Sequence, residues 1–204
     1  MNYLAHIFLS GKNTDIQIGN FMGDAVKGKD YLSYPADLRK GILLHRQIDS
    51  FTDQHPIVKT SKKRLQARYG HYGGVLIDIF YDHFLAVNWS IYSKESFTDF
   101  TNIFYKNLER KHSALPEKTK LIAPKLIAYT WLDKYQSLDG ISQTLNGMTK
   151  RIKHNIPLHL GIEDLVANFS ELEADFNEFF PLLQKHSTFI LHSLDKQNEE
   201  NTSF

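Results

Sequence analysis

Gly41-Ile-Leu-Leu-His-Arg-Gln-Ile-Asp-Ser-Phe-Thr-Asp53 places His45, Asp49 and Asp53 at successive four-residue steps. Residues four apart share one face of an α-helix, about one turn from each other. Leu38, Ile42, Leu43 and Ile48 form an apolar stripe on the same wheel, with His45, Asp49 and Thr52 at or near its edge. The stretch therefore reads as an amphipathic helix carrying an imidazole and two carboxylates in one partly buried row, with Arg46 beside its start. A carboxylate in that position needs a cation or hydrogen-bond donors, because desolvating it alone is costly. A metal ion would serve, and so would Arg46, Arg39 or a helix N-terminus.

The same period runs outward in both directions, and no alternating strand pattern interrupts it. Helices are expected over Tyr3–Leu9, Ile16–Val26, Ala36–Gln54, Val58–Tyr69, Val75–Trp89, Phe97–Lys111, Lys118–Leu132, Ile141–Ile152 and Ile162–Leu194. Pro35 suits a first helical turn, Pro56 follows the His45 helix, and Gly70 with Gly73-Gly74 breaks the chain before the next one. Pro181 falls inside the last pattern and is expected to kink or divide it. His154 and His159 fall to the loop around Pro157. No repeat, linker or composition shift marks a second domain. The fold class is all-α, a single-domain helical bundle over residues 1–194, with a polar tail expected to fray over 195–204.

Composition narrows the function classes. The 204 residues suffice for one substantial core, and 42% hydrophobic with 23% charged residues is ordinary for a globular protein. With no cysteine, neither disulfides nor a thiolate metal site can form. The opening MNYLAHIFLSG is too short to span a bilayer, contains His6 and lacks a basic leader, so no signal peptide is expected. No later run reaches about 18 apolar residues, so no membrane association is expected and a cytoplasmic location is. The net charge of +1 gives no general attraction to nucleic acid, but charge is segregated along the chain. Lys59–Arg68 holds Lys59, Lys62, Lys63, Arg64 and Arg68 with no acid, whereas Glu163–Glu178 is strongly acidic. The basic stretch has no interleaved aromatics, which argues against a nucleic-acid surface.

A second polar row lies in Asp78-Ile-Phe-Tyr-Asp-His83, amid Val75, Leu76, Ile79, Phe80 and Leu85. Asp78 and Asp82 are one turn apart and repel unless a positive group lies between them. Histidines and carboxylates on two facing helices suit a divalent metal. Asp24 and His6, each in small or apolar surroundings, are further candidates, although a lone core histidine is commonly just hydrogen-bonded.

Five motifs in order carry a resemblance: Met1-Asn-Tyr-Leu-Ala-His6; Gly19-Asn20 with Asp24-x-Val-Lys-Gly28; Gly41-Ile-x-x-His-Arg-x-Ile-Asp-x-x-Thr-Asp53; Asp82-His-Phe-Leu-x-x-x-Trp-Ser90; and Leu145-Asn-Gly-Met148. Together, over Met1 to about Pro181, they resemble the acyl carrier protein phosphodiesterase family. The resemblance implies an all-α fold distantly similar to HD-type metal-dependent phosphohydrolases. It also implies hydrolysis of the phosphodiester joining 4′-phosphopantetheine to a serine of holo-acyl carrier protein, with a divalent cation, Mn²⁺ for preference or Mg²⁺. Lys27, where the family carries Arg in places, and the long polar tail are departures that touch no catalytic candidate.

A divalent ion would acidify a water and neutralise the phosphodiester, and hard oxygen ligands with one or two imidazoles match such ions. Asp24, His45, Asp49 and Asp82 are the expected ligands, with Asp53 and Asp78 orienting them. Arg46 is the expected phosphate clamp. The departing serine oxygen needs a proton, from His83 or else from His6. Acyl carrier protein is acidic, so Lys62, Lys63, Arg64 and Arg68 are the expected docking residues. Two other readings fit less of the pattern: a related metal phosphohydrolase acting on a nucleotide or other small phosphoester, and a non-catalytic helical binding protein whose buried charges are structural ion pairs.

Overall fold

A computed structural model describes residues 1–202 apart from 153–155, with side chains as far as Lys196. His154, Ser203 and Phe204 lie outside the described residues. Among the described residues all regular structure is helical, which bears out the all-α class. In chain order the α-helices are α1 (Tyr3–Leu9), α2 (Thr14–Phe21), α3 (Ala36–Gln54), α4 (Pro56–Tyr69), α5 (Gly73–Val87) and α6 (Trp89–Tyr92). Then follow α7 (Phe97–Arg110), α8 (Glu117–Ala128), α9 (Leu138–Thr149), α10 (Gly161–Ala167) and α11 (Phe169–Thr202). Short 3-10 turns join several of them, including Gly23–Ala25 after α2 and Asp133–Gln136 before α9. No described helix is long and apolar enough to cross a membrane.

The core forms around α5, where Leu76, Ile77, Ile79, Phe80, Phe84 and Leu85 are wholly inaccessible. Such an all-round apolar helix must be covered on every side. α4, α1, α9 and α11 cover it. α11 contributes Phe176, Phe179, Phe180 and Leu183, all fully buried, and the Phe176 and Phe180 rings stack at 5.0 Å between centroids. That packing explains why Pro181 does not divide α11, contrary to expectation. A mid-helix proline costs about 3 kcal/mol, less than the burial of four large side chains contributes at about 1.5–3 kcal/mol each. The chain breaks instead at Asn168, between α10 and α11.

Two glycines set the distance between α2 and α3, the most extensive helix contact in the fold. A Cβ at Gly19 would lie 2.1 Å from the Leu38 carbonyl oxygen, and one at Gly41 would lie 2.2 Å from that of Ile16. Backbone therefore meets backbone, and Asn20 of α2 is brought beside His45 of α3.

α1 is anchored by α5. The Asp82 carboxylate is fully buried and accepts the Leu4 N–H at 2.8 Å and those of Asn2 and Ala5 at 3.3 Å. Asp78 accepts from the Met1 amino group at 2.9 Å. The two carboxylates that were expected to need a positive group between them are relieved by the start of α1, Asp78 by the Met1 ammonium and Asp82 by unpaired N–H groups at a helix end whose dipole favours negative charge.

Candidate metal centre and cleft

α1, α2 and α3 converge on one polar cluster. His6 comes from α1, Asn20 from α2, and His45 and Asp49 from α3. The His6 and His45 rings stack, 4.2 Å apart and 24° from parallel. Both present Nδ1 to the Asn20 side-chain oxygen, at 2.8 and 3.2 Å. The Asn20 amide nitrogen is already committed, donating to the His6 carbonyl and to Ser10 Oγ, each at 2.9 Å. The amide orientation is thereby set, so Asn20 Oδ1 must accept and both Nδ1 atoms must carry hydrogen. Each neutral ring then turns a bare Nε2 lone pair the other way.

Those lone pairs face carboxylates. His6 Nε2 is 3.2 Å from Asp49 Oδ1, and His45 Nε2 is 3.1 Å from Asp49 Oδ2 and 3.3 Å from Asp24 Oδ1. Neither acid lies where a ring N–H of His45 would point, and its buried Nε2 makes no hydrogen bond. Lone pairs converging on carboxylate oxygens require something positive, either protons or a cation. His6, His45 and Asp49 offer ligand atoms all within 4.8 Å of one another, a set that can hold a metal ion. Nδ1–H donation to a side-chain oxygen is the usual way a ligating histidine is oriented. The donor set fits a divalent ion.

Without a cation, protons take its place unequally. Burial lowers the His6 pKa, against the pull of Asp49. Burial also opposes a charge on His45, but Asp24 and Asp49 outweigh it and push its pKa up to about 9. Asp49 is desolvated too, yet the two rings hold its carboxyl well below the usual carboxylate range. The His45 ring likewise lowers Asp24, which stands 84% exposed at the rim.

The cluster floors a cleft of about 250 Å³ that Tyr3, Thr52, Asp53 and Asp78 also line. Thr52 Oγ1, buried against that space, has no hydrogen-bond partner. Asp53 is exposed and pairs with Lys62 at 2.7 Å. Gly23 makes room for the histidine, because a Cβ there would sit 2.4 Å from the His45 ring.

Of the expected site residues, the structure brings together Asp24, His45, Asp49 and His6, with Asp53 and Asp78 on the cleft wall. It does not bring Asp82 or His83 to them. Asp82, whose burial pushes its pKa up to about 7 against nearby N–H donors and the Met1 ammonium, has its oxygens turned to α1. His83 holds the Tyr135 carbonyl with Nδ1 at 2.6 Å and packs against Phe84 and Phe169. Arg46 donates to the Val26 carbonyl at 3.0 Å and lies over the Tyr31 ring, bracing the segment after Asp24 instead of lining the cleft. Three of the four expected docking residues are paired within the chain. Lys62 meets Asp53, Arg64 meets Asp175 at 3.0 Å, and Arg68 meets Asp164 at 3.0 Å. The acidic segment noted in the sequence thus faces the basic one. Asn20 was quoted only as part of a motif, and a buried asparagine directly preceding an apolar turn was the available signal for its role.

Comparisons with known proteins place the chain in a family. Residues 1–183 match the family model described as acyl carrier protein phosphodiesterase. A protein of that name from Photorhabdus laumondii is 30% identical over 186 residues, 91% of this chain and 94% of its own. One from an Enterobacter species is 30% identical over 89% of this chain and 94% of its own. An Escherichia coli protein of the same name is 29% identical over 92% and 98% respectively. No solved structure matches the chain. The matched span contains every residue of the cleft, and the chain belongs to the acyl carrier protein phosphodiesterase family.

Proposed function

We propose that the chain hydrolyses the phosphodiester of holo-acyl carrier protein, releasing 4′-phosphopantetheine and leaving the apo-protein with a free serine. The observation that carries this reading, beside family membership, is the pair of Nε2 atoms bared by Asn20 and aimed at Asp49. His6, His45 and Asp49, with Asp24 at the rim, would hold a divalent cation, Mn²⁺ or Mg²⁺ by the hardness of the carboxylates. Such an ion, when bound, supplies charge neutralisation at the phosphodiester and a more acidic water.

The chain's own groups do the rest. Asn20 keeps both histidines in the tautomer that leaves Nε2 free. Asp49 spans the two rings and fixes their relative position. Asp24, exposed at the rim 3.3 Å from His45 Nε2, would accept a proton from the attacking water. Of the two histidines expected to protonate the departing serine oxygen, only His6 lines the cleft, but its Nδ1–H is held by Asn20 and its Nε2 would be a ligand atom, so we propose that this proton comes from water. Among the expected docking residues, Lys63 has no carboxylate partner within the described side chains, and we propose it as the α4 contact to the acidic carrier protein. A cytoplasmic site of action rests on the same substrate.

Purified protein incubated with holo-acyl carrier protein and Mn²⁺, with and without chelator, tests this by mass spectrometry. The expected result is loss of the phosphopantetheine mass only where metal is free. Intact holo-protein beside folded, metal-loaded enzyme would overturn the reading.

A further inference from the structure

A second space, a groove of about 530 Å³, adjoins the cleft. Asn2, Tyr3, Asp24 and Asp78 line both, so the two share one wall at the start of α1. Their chemistry differs. The cleft is a carboxylate and imidazole site, whereas the groove is walled by Val75, Trp131, Tyr135 and Met148, with Gln143 and Thr144 between them. Its cations, Lys134 and Arg151, belong to the groove alone, and the Arg151 guanidinium lies 5.5 Å from the Trp131 ring centroid. A substrate filling both spaces has an anionic centre and, on one side of it, an uncharged chain with apolar and amide portions.

We propose that this groove binds the pantetheine portion of the substrate, and the inference rests on the carrier-protein reading given above. A diester has two sides. One is a folded protein, which cannot enter a concave space, and the other is a slender chain that can. The volume falls within the range of small-molecule sites, about 300–1,000 Å³. The geminal methyl groups meet Trp131 and Met148, and the amides meet the side chain of Gln143. The carrier protein itself stays outside, over the Asp24 rim.

The backbone supports a ligand role for the groove's aromatic edge. Thr130 has φ of +42°, the one positive value among the described non-glycine residues. It closes α8, with its own N–H on the Ile127 carbonyl and that of Trp131 on Leu126. Glycine is the unstrained residue at such a helix end, and a β-branched side chain there is strained. The turn it makes sets Tyr129, 62% exposed, and Trp131 along the groove. Strain of this kind persists where the surroundings use the geometry it creates.

Two readouts test the assignment. Trp131 is one of two tryptophans, so Trp89→Phe leaves it as sole reporter, and added pantetheine should change its fluorescence saturably. Gly147→Leu places bulk in the groove at a helical position where a Cβ meets only Arg151 Nη2, at 3.7 Å. That variant should abolish the fluorescence response. It should also lower kcat/KM on holo-carrier protein at least about tenfold relative to bis(p-nitrophenyl) phosphate, a diester with no arm. No saturable response, or a ratio in Gly147→Leu within about twofold of the parent's, overturns the assignment. If the parent cleaves holo-carrier protein while that ratio is unchanged, the groove assignment alone fails. If pantetheine binds in a groove-dependent way while the parent leaves holo-carrier protein intact, the activity reading fails and the groove as a pantetheine site stands.

Discussion

At the scale of single residues, the centre depends on one amide. Asn20 accepts from both histidines and has its nitrogen tied to His6 and Ser10, so nothing else in the cluster can set the tautomers. Asn20→Leu keeps the volume and removes the acceptor. It should weaken Mn²⁺ binding about 10–100-fold, measured by calorimetric titration, and an unchanged affinity would refute the tautomer argument. His45 Nε2 governs pH dependence. In metal-free protein His45 keeps its proton until about pH 9, so proton and cation compete for Nε2. Raising pH removes the competitor. Mn²⁺ affinity should therefore climb as pH approaches about 9 and then level, and uptake near neutrality should release a proton. Titrations in buffers of different ionisation enthalpy would detect that release.

Between elements, two contacts decide whether these residues meet. The first is the α2–α3 crossing. Gly41→Ala puts a methyl 2.2 Å from the Ile16 carbonyl and should cost about 1–3 kcal/mol in urea denaturation. Gly23→Ala presses instead on the His45 ring at 2.4 Å, so its main effect should be on metal affinity. The second is the seat of α1 on α5. Asp82→Asn turns one acceptor into a donor facing the N–H groups of Asn2, Leu4 and Ala5. It should destabilise by about 2–3 kcal/mol and displace His6, which α1 carries. A stable, fully metal-binding Asp82→Asn protein would show that this carboxylate does not position the site.

Over the whole molecule, charge is arranged to close the fold. α4 faces α10 and α11 through Arg64–Asp175 and Arg68–Asp164, and Ser61 Oγ also donates to Asp175 at 2.6 Å. Arg64→Glu should therefore lower Tm, and the double exchange Arg64→Glu with Asp175→Arg should recover part of the loss. Lys63→Glu should leave Tm in place and slow carrier-protein cleavage, more at low salt than at high. Thermal melts beside salt-dependent kinetics separate the two effects. If Arg64→Glu and Lys63→Glu behaved alike, the division of α4 into a structural and a docking side would be wrong.

Helix positions were legible in the linear chain because hydrophobic periodicity is a local property; α1 and α3 fall on the residues it marked, Tyr3–Leu9 and Ala36–Gln54. The His45–Asp49 pair was legible for the same reason, since one turn of helix sets that distance whatever surrounds it. The fate of each buried charge was not local. Asp82 looked like a ligand, yet the helix N-terminus that satisfies it lies about eighty residues away in sequence. Arg46 looked like a phosphate clamp until a carbonyl twenty residues earlier took its donor. The basic face of α4 looked free because its acidic partners sit on the far end of the chain. Local pattern tells that a buried polar group needs a partner, and only packing in three dimensions chooses which one it meets.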